Sequence, residues 1–222
     1  MKKRRWKNEE RFRIVLEGLL GQVSVAEICK RTPMRSKPNP VRPNHIWGTD
    51  MTKIKLKHWG WIYLVVVLDW YSKEIIGYNL SLSARTDQWI EALNMAINSR
   101  FPDGIKEEID SGKKLYLVSD NGCQPTSKRY MRECRELGIE QIFTSWSNPK
   151  GDADTERVLR TMKEDLVWIR EWEDVFEFEA ALKEWVRRYN NEYPHQGLNY
   201  KTPKQCYEES IKGQTKVEVK MA

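Results

Sequence analysis

Three carboxylates and two cations stand at spacings suited to phosphodiester chemistry. Asp50 lies in IWGTDMTKIKL, Asp120 in LYLVSDNG and Glu156 in SNPKGDADTERVLRTMKEDL, with 35 residues between Asp120 and Glu156. In a helix starting near Ala153, Glu156, Arg160 and Lys163 step by four and then three, so they share one face. Asp50 sits inside an apolar strand-like run, and Asp120 directly follows another. Carboxylates delivered by two strands and a helix suit hard ions such as Mg²⁺, which take oxygen ligands and keep several waters. Two such ions about 4 Å apart can activate an attacking oxygen and stabilise the leaving one at a phosphodiester.

Each of these residues also has a plainer reading. A carboxylate in an apolar strand needs a metal, an arginine or a solvent-facing edge. Asp-Asn-Gly at 120–122 is good turn chemistry. Asp152 and Asp154 compete with Glu156 as the third ligand, or else cap the helix start or sit on its N-terminal dipole. Arg160 and Lys163 either clamp DNA phosphates or pair with Glu156. Asn121, Gln124, Asn148 and Lys150 are candidates to line a strand-binding groove. Asp69, in VLDWYS, reads as structural or turn-forming. Most of the ten tryptophans read as core, with Trp146 a candidate to stack on a flipped base.

The elements that must position these side chains follow from periodicity. Residues 47–56, 61–68 and 74–82 alternate like three strands joined by turns. Residues 86–100 read as a helix, 115–118 as a short buried strand that can pair in parallel, and Asp120 falls at its carboxyl end. Residues 127–137 form a helix closed by Gly138, and 140–143 a final strand. The helix carrying Glu156 runs from about Ala153 to Arg170. A last amphipathic helix, Phe176 to Asn190, turns Phe178, Leu182, Trp185, Val186 and Tyr189 inward. The order is that of an α/β domain with a mixed five-stranded sheet flanked by helices.

In the same order, WGTDMT, YLVVVLDWYSKEIIGY, VSDNGCQPTS, SNPKGDADTERVLRTMKEDL and YNNEYPHQGLNYKTPKQCYEE resemble the OrfB-type insertion-sequence transposases. These share their DDE catalytic core with retroviral integrases. The resemblance covers Pro43 to Glu209, about three-quarters of the chain. It implies a ribonuclease-H-like fold and Mg²⁺-dependent cutting and joining of DNA, with Mn²⁺ able to substitute. It assigns catalysis and the binding of two ions to Asp50, Asp120 and Glu156. DNA ends and target DNA are the implied partners, in a homo-oligomer of at least two chains. A metal-dependent nuclease that cuts without joining, or a non-mobile DNA-binding relic, are the alternatives. In the closing motif, His195 and Tyr189 are expected to seat the last helix on the core.

Charge divides the chain. Residues 1–45 hold 12 Lys/Arg against 4 Asp/Glu, a balance of +8, and the other 177 hold 26 against 28, a balance of −2. A basic arm attracted to phosphates thus precedes a near-neutral core. Residues 1–32 resemble the first two helices of a helix-turn-helix, and 33–45 form a Pro-rich linker. Four prolines at 33, 38, 40 and 43 leave no room for a major-groove recognition helix, so either this arm has lost its sequence reader or the reader lies on a separate polypeptide. The catalytic core then spans 46–210 and a tail 211–222. Four scattered cysteines without a CxxC pair fit neither a disulfide framework nor a zinc site. No apolar run reaches membrane-spanning length, and the expected location is the cytoplasm, in association with the nucleoid.

Overall fold

The computed structural model describes residues 39–106, 109, 111–144 and 152–221, with side chains described as far as 213. The expected N-terminal arm, residues 33–38 of the linker, and Trp146, Asn148 and Lys150 lie outside the described residues.

Strands β1 (Ile46–Leu56), β2 (Gly60–Asp69) and β3 (Ile75–Ser81) form an antiparallel meander. Helix α1 (Thr86–Arg100) then crosses to β4 (Tyr116–Ser119), and α2 (Lys128–Glu136) leads to β5 (Glu140–Phe143). Both late strands run parallel, β4 beside β1 and β5 beside β4, giving the order β3-β2-β1-β4-β5. Ser127 starts α2 as the sequence suggests, its hydroxyl accepting from the Tyr130 N–H. Helix α3 (Ala153–Met162) follows, then α4 (Val175–Glu192) and α5 (Pro203–Met221). Helix α5 continues through the segment that the sequence reading set aside as a tail.

The two sheet faces are covered by different helices, and alternation along the strands explains which. Trp47, Val65 and Val67 point to one side, where Trp89, Leu93 and Ile97 of α1 and Tyr130 and Cys134 of α2 meet them. Ile54, Leu64, Val66 and Leu68 point to the other, against Val158, Leu159 and Met162 of α3 and Phe178, Leu182 and Tyr189 of α4. Gly77 lets α1 approach β3 closely, since a Cβ there would stand 2.3 Å from the Ala92 carbonyl oxygen. The expected inward face of α4 is present, with Val186 only half-buried. His195 meets Tyr189 edge-on at 5.0 Å between ring centroids, as the closing motif implied.

One element departs from its expected form. Instead of one α-helix from Ala153 to Arg170, α3 widens after Met162 into a π turn, Lys163–Val167, with the Trp168 N–H donating to the Lys163 carbonyl at 2.8 Å. Among the described residues, no helix is long and apolar enough to cross a membrane.

Candidate active site

Asp50 stands in the middle of β1, half-buried, opposite Val66 of β2. Strand β4 pairs with β1 only from Ile46 to Gly48. Beyond Gly48 the sheet therefore splits, and Asp50 lies beside the opening. Asp120 is the residue after β4, exposed at its carboxyl end, and its Oδ1 accepts from the Gly122 N–H at 3.0 Å. Crevices outside the carboxyl ends of parallel strands are where open α/β sheets bind ligands. Glu156 lies in the first turn of α3, exposed.

What brings α3 to β1 is the absence of a side chain. A Cβ on Gly48 would fall 2.2 Å from both Thr155 Oγ1 and Trp70 Nε1. In the space thus left, the fully buried Trp70 donates its indole N–H to Thr155 Oγ1 at 3.1 Å. Thr155 precedes Glu156, so this contact fixes where the helix presents its carboxylate. Asp50, two residues along β1 from Gly48, points to the same sheet face.

The carboxylates act on each other electrostatically. Burial is the main cause that pushes Asp50 up from 3.8 to about 6; Asp120 and Glu156 add to it, against the Met51 N–H and Lys163. Asp152, the residue before α3, joins them. It is 7% exposed, its Oδ1 finds no hydrogen-bond partner, and its carboxyl is held well above the usual range. Burial again leads, the Thr155 hydroxyl opposes it, and Asp50, Glu156 and Asp120 reinforce it. Four acids thus share one neighbourhood. Among the described residues, no three Asp, Glu, His or Cys side chains close on one point that would hold a metal. The group is an open, all-oxygen set rather than a cage, which fits a hard divalent ion that keeps part of its water shell.

The other candidates separate clearly. Arg160 and Lys163 line the same cavity of about 360 Å³ as Asp50 and Glu156. Asn121 and Gln124 instead spend their amide donors on the fold, Asn121 to the Thr144 carbonyl at 2.6 Å and Gln124 to the Ala84 carbonyl at 2.9 Å. Asp154 turns away from the site to pair with Lys73 at 2.7 Å. Asp69 is fully buried and structural, accepting from the N–H groups of Asn44 and Tyr71. Sequence reasoning missed the Gly48–Thr155–Trp70 contact and the exposed Trp168 beside Glu156 in the cavity wall. A glycine two residues before a strand carboxylate was the available signal for the first.

Comparison with known proteins bears on this arrangement. A family model described as the integrase core domain matches residues 40–149, and a second of the same description matches 137–203. The transposase for insertion sequence element IS904 of Lactococcus lactis is 28% identical over 177 residues, covering 76% of this chain and 66% of that protein. The putative transposase InsK for IS150 of Escherichia coli is 29% identical over 150 residues, covering 68% and 50%. This chain thus spans about half to two-thirds of the length of these relatives. Among solved structures, the HTLV-2 integrase catalytic core domain in complex with magnesium (trimeric form) superposes with a TM-score of 0.52 at 20% identity, over 76% of this chain and 99% of that one. The catalytic domain of Mos1 mariner transposase gives 0.56 at 14% identity, over 96% and 92%. Identities this low speak to the fold, which is the ribonuclease-H-like mixed sheet. With integrase-core matches running from residue 40 to 203 and insertion-sequence transposases as its relatives, the chain belongs to the insertion-sequence transposases with an integrase-like catalytic core.

Proposed function

We propose that the chain cuts and joins DNA strands during transposition, by phosphoryl transfer at the site formed by Asp50, Asp120 and Glu156. The observation that carries this reading is the convergence of these acids from β1, the end of β4 and α3, expressed in the upward push that Asp120 and Glu156 exert on Asp50. Repulsion of this kind costs stability unless a cation relieves it.

Asp50, Asp120 and Glu156 would hold two Mg²⁺ ions, with Mn²⁺ able to substitute. Bound there, the ions would supply an activated water or 3′-hydroxyl and neutralise the leaving oxygen. The chain's own part is positioning. Gly48 and Trp70 hold α3, whose Glu156 lines one cavity with Asp50, against β1. Arg160 and Lys163 lie on the same helical face and would bind the phosphates flanking the reacting one. No serine or tyrosine nucleophile is required.

The substrate would be the two ends of an element and a target duplex, which calls for at least two chains acting together. Relatives of the fold are described as an intasome and as dimeric and trimeric forms, consistent with such assembly. Work on genomic DNA would place the protein at the nucleoid. The separate recognition polypeptide rests on the N-terminal arm, outside the described residues, and on nothing else.

The test is cleavage and joining of labelled duplexes from the DNA flanking this gene, with Mg²⁺ or EDTA, for wild type and Asp120→Asn. Metal-dependent products that vanish in the mutant support the reading, and joined species separate a transposase from a nuclease. Full activity in the mutant would overturn the site.

A further inference from the structure

We propose that the groove between the free edge of β1 and the π turn binds an unpaired DNA strand next to the active site, with Trp168 as the platform for a base. The inference deepens the proposed function and rests on it. The groove encloses about 880 Å³ between residues 52–57, at the end of β1 and just past it, and residues 163–172. It is continuous with the acidic cavity, because Thr52, Lys163 and Trp168 border both. A strand reacting at Asp50 would therefore run on into it.

Charge and aromatic content select the occupant. Lys53, Lys55, Lys57, Lys163 and Arg170 line the groove against the single acid Glu171. Lys57 and Arg170 are already held by Glu173 at 2.9 Å and Glu177 at 2.6 Å. Lys163 remains on the Trp168 side, while Lys53 and Lys55 alternate with Ile54 and so border the groove from the other face of the β1 edge, the Lys53 ammonium lying 4.7 Å over the Trp61 ring. Alternating lysines on a sheet edge also serve to discourage edge-to-edge pairing. That role gives no reason for a tryptophan 65% exposed, such as Trp168, or 47%, such as Trp61. Trp168 follows directly on a π turn, a rare geometry frequent at functional sites. A basic groove with exposed indoles is the combination that binds single strands, phosphates on the cations and bases on the rings. Duplex DNA hides the base faces, so the stacked base must be unpaired. The chain's own N-terminal arm, at +8 over residues 1–45, is repelled by the same lysines.

Fluorescence anisotropy in EDTA tests this without chemistry, using one labelled duplex either blunt or with a short unpaired overhang. Wild type should bind the overhang probe more tightly. Trp168→Ala should lose about tenfold on the overhang probe and little on the blunt one, as expected for one lost stacking partner, while Trp168→Phe retains most of the affinity. Lys55→Glu should weaken binding and flatten its salt dependence by about one ion. Phe176→Ala, on an exposed aromatic pair with Trp59 outside the groove, should bind as wild type. Equal losses on both probes, no loss on the overhang probe, or tighter binding of an acidic peptide than of the overhang would each overturn the groove assignment. The two readings fail separately: Asp120→Asn can abolish cleavage while Trp168→Ala leaves overhang binding intact, or Asp120→Asn can leave cleavage while Trp168→Ala still loses the overhang.

Discussion

Two sets of buried or half-buried carboxylates sit on either side of β1's start, and they are treated in opposite ways. Asp69 and Glu74, at the turn between β2 and β3, are surrounded by donors. Burial raises the Asp69 carboxyl, and the Arg100 charge, the N–H groups of Tyr71 and Asn44 and the Ser72 hydroxyl pull it back. Glu74 takes the Arg100 guanidinium at 2.5 Å, with Lys204 at 4.0 Å, and Arg100 itself stacks on Tyr207. Asp50 and Asp152 have less relief, the Met51 N–H and Lys163 for the first and the Thr155 hydroxyl for the second, and the other charges acting on them are largely more acid. The first set holds a turn in place. The second keeps negative potential in a cleft at the cost of stability, as a site awaiting a cation and a phosphodiester would.

The sharpest way to break this comparison is to remove the cation from the satisfied set. Arg100→Ala leaves the buried Glu74 with only the more distant Lys204 and should cost about 3 kcal/mol in urea denaturation; a loss near zero would show that the pair is not a structural device. The converse change in the other set should stabilise. Folding pushes the Asp50 carboxyl up from 3.8 to about 6, a gap worth about 3 kcal/mol. Well below 3.8 the carboxyl is protonated in both states and contributes no penalty. The penalty sets in as pH rises through 3.8, where the unfolded chain ionises, and is complete above about 6. Without added metal, Asp50→Asn should therefore match wild type only well below 3.8 and exceed it by up to about 3 kcal/mol above about 6; a pH-independent difference would contradict the assigned cause. Asp152→Asn should shift stability in the same direction, since it removes a buried carboxyl whose ionisation is opposed in the folded state and whose Oδ1 is unpartnered, while keeping a side chain able to accept from Thr155. Thermal melts with and without Mg²⁺ sharpen the point, because the gain should shrink when metal is present; a melting point below wild type at pH 7 in EDTA would place Asp152 with the satisfied acids instead.

Much of the molecule was legible because its patterns are local. Strand alternation located all five strands to within a residue or two, and the apolar stripe of α4 named the residues that line its core face. The helical face of Glu156, Arg160 and Lys163 picked out groups that line one cavity with Asp50. Other features resisted for physical reasons. Asp152 and Asp154 are two residues apart in one acidic run, yet one turns into the cleft and the other to Lys73, because successive helical positions differ by about 100° in direction. Asn121 and Gln124 looked available from their place beside Asp120, and only long-range partners at Thr144 and Ala84 show their amides already committed. The π turn after Met162 leaves no mark on hydrophobic periodicity over five residues, so Trp168 read as one more core aromatic.

By itself, then, the amino-acid order determined the element types and the sheet's composition and marked the candidate acids, since those depend on side-chain chemistry and on spacing along the chain. The tertiary structure alone decided which acids lie together without a countercharge, how closely α3 approaches β1 over Gly48, and that β4 stops pairing in time to leave an open edge beside Asp50. Those are matters of approach between segments as much as a hundred residues apart, and desolvation and Coulomb repulsion act through space rather than along the chain.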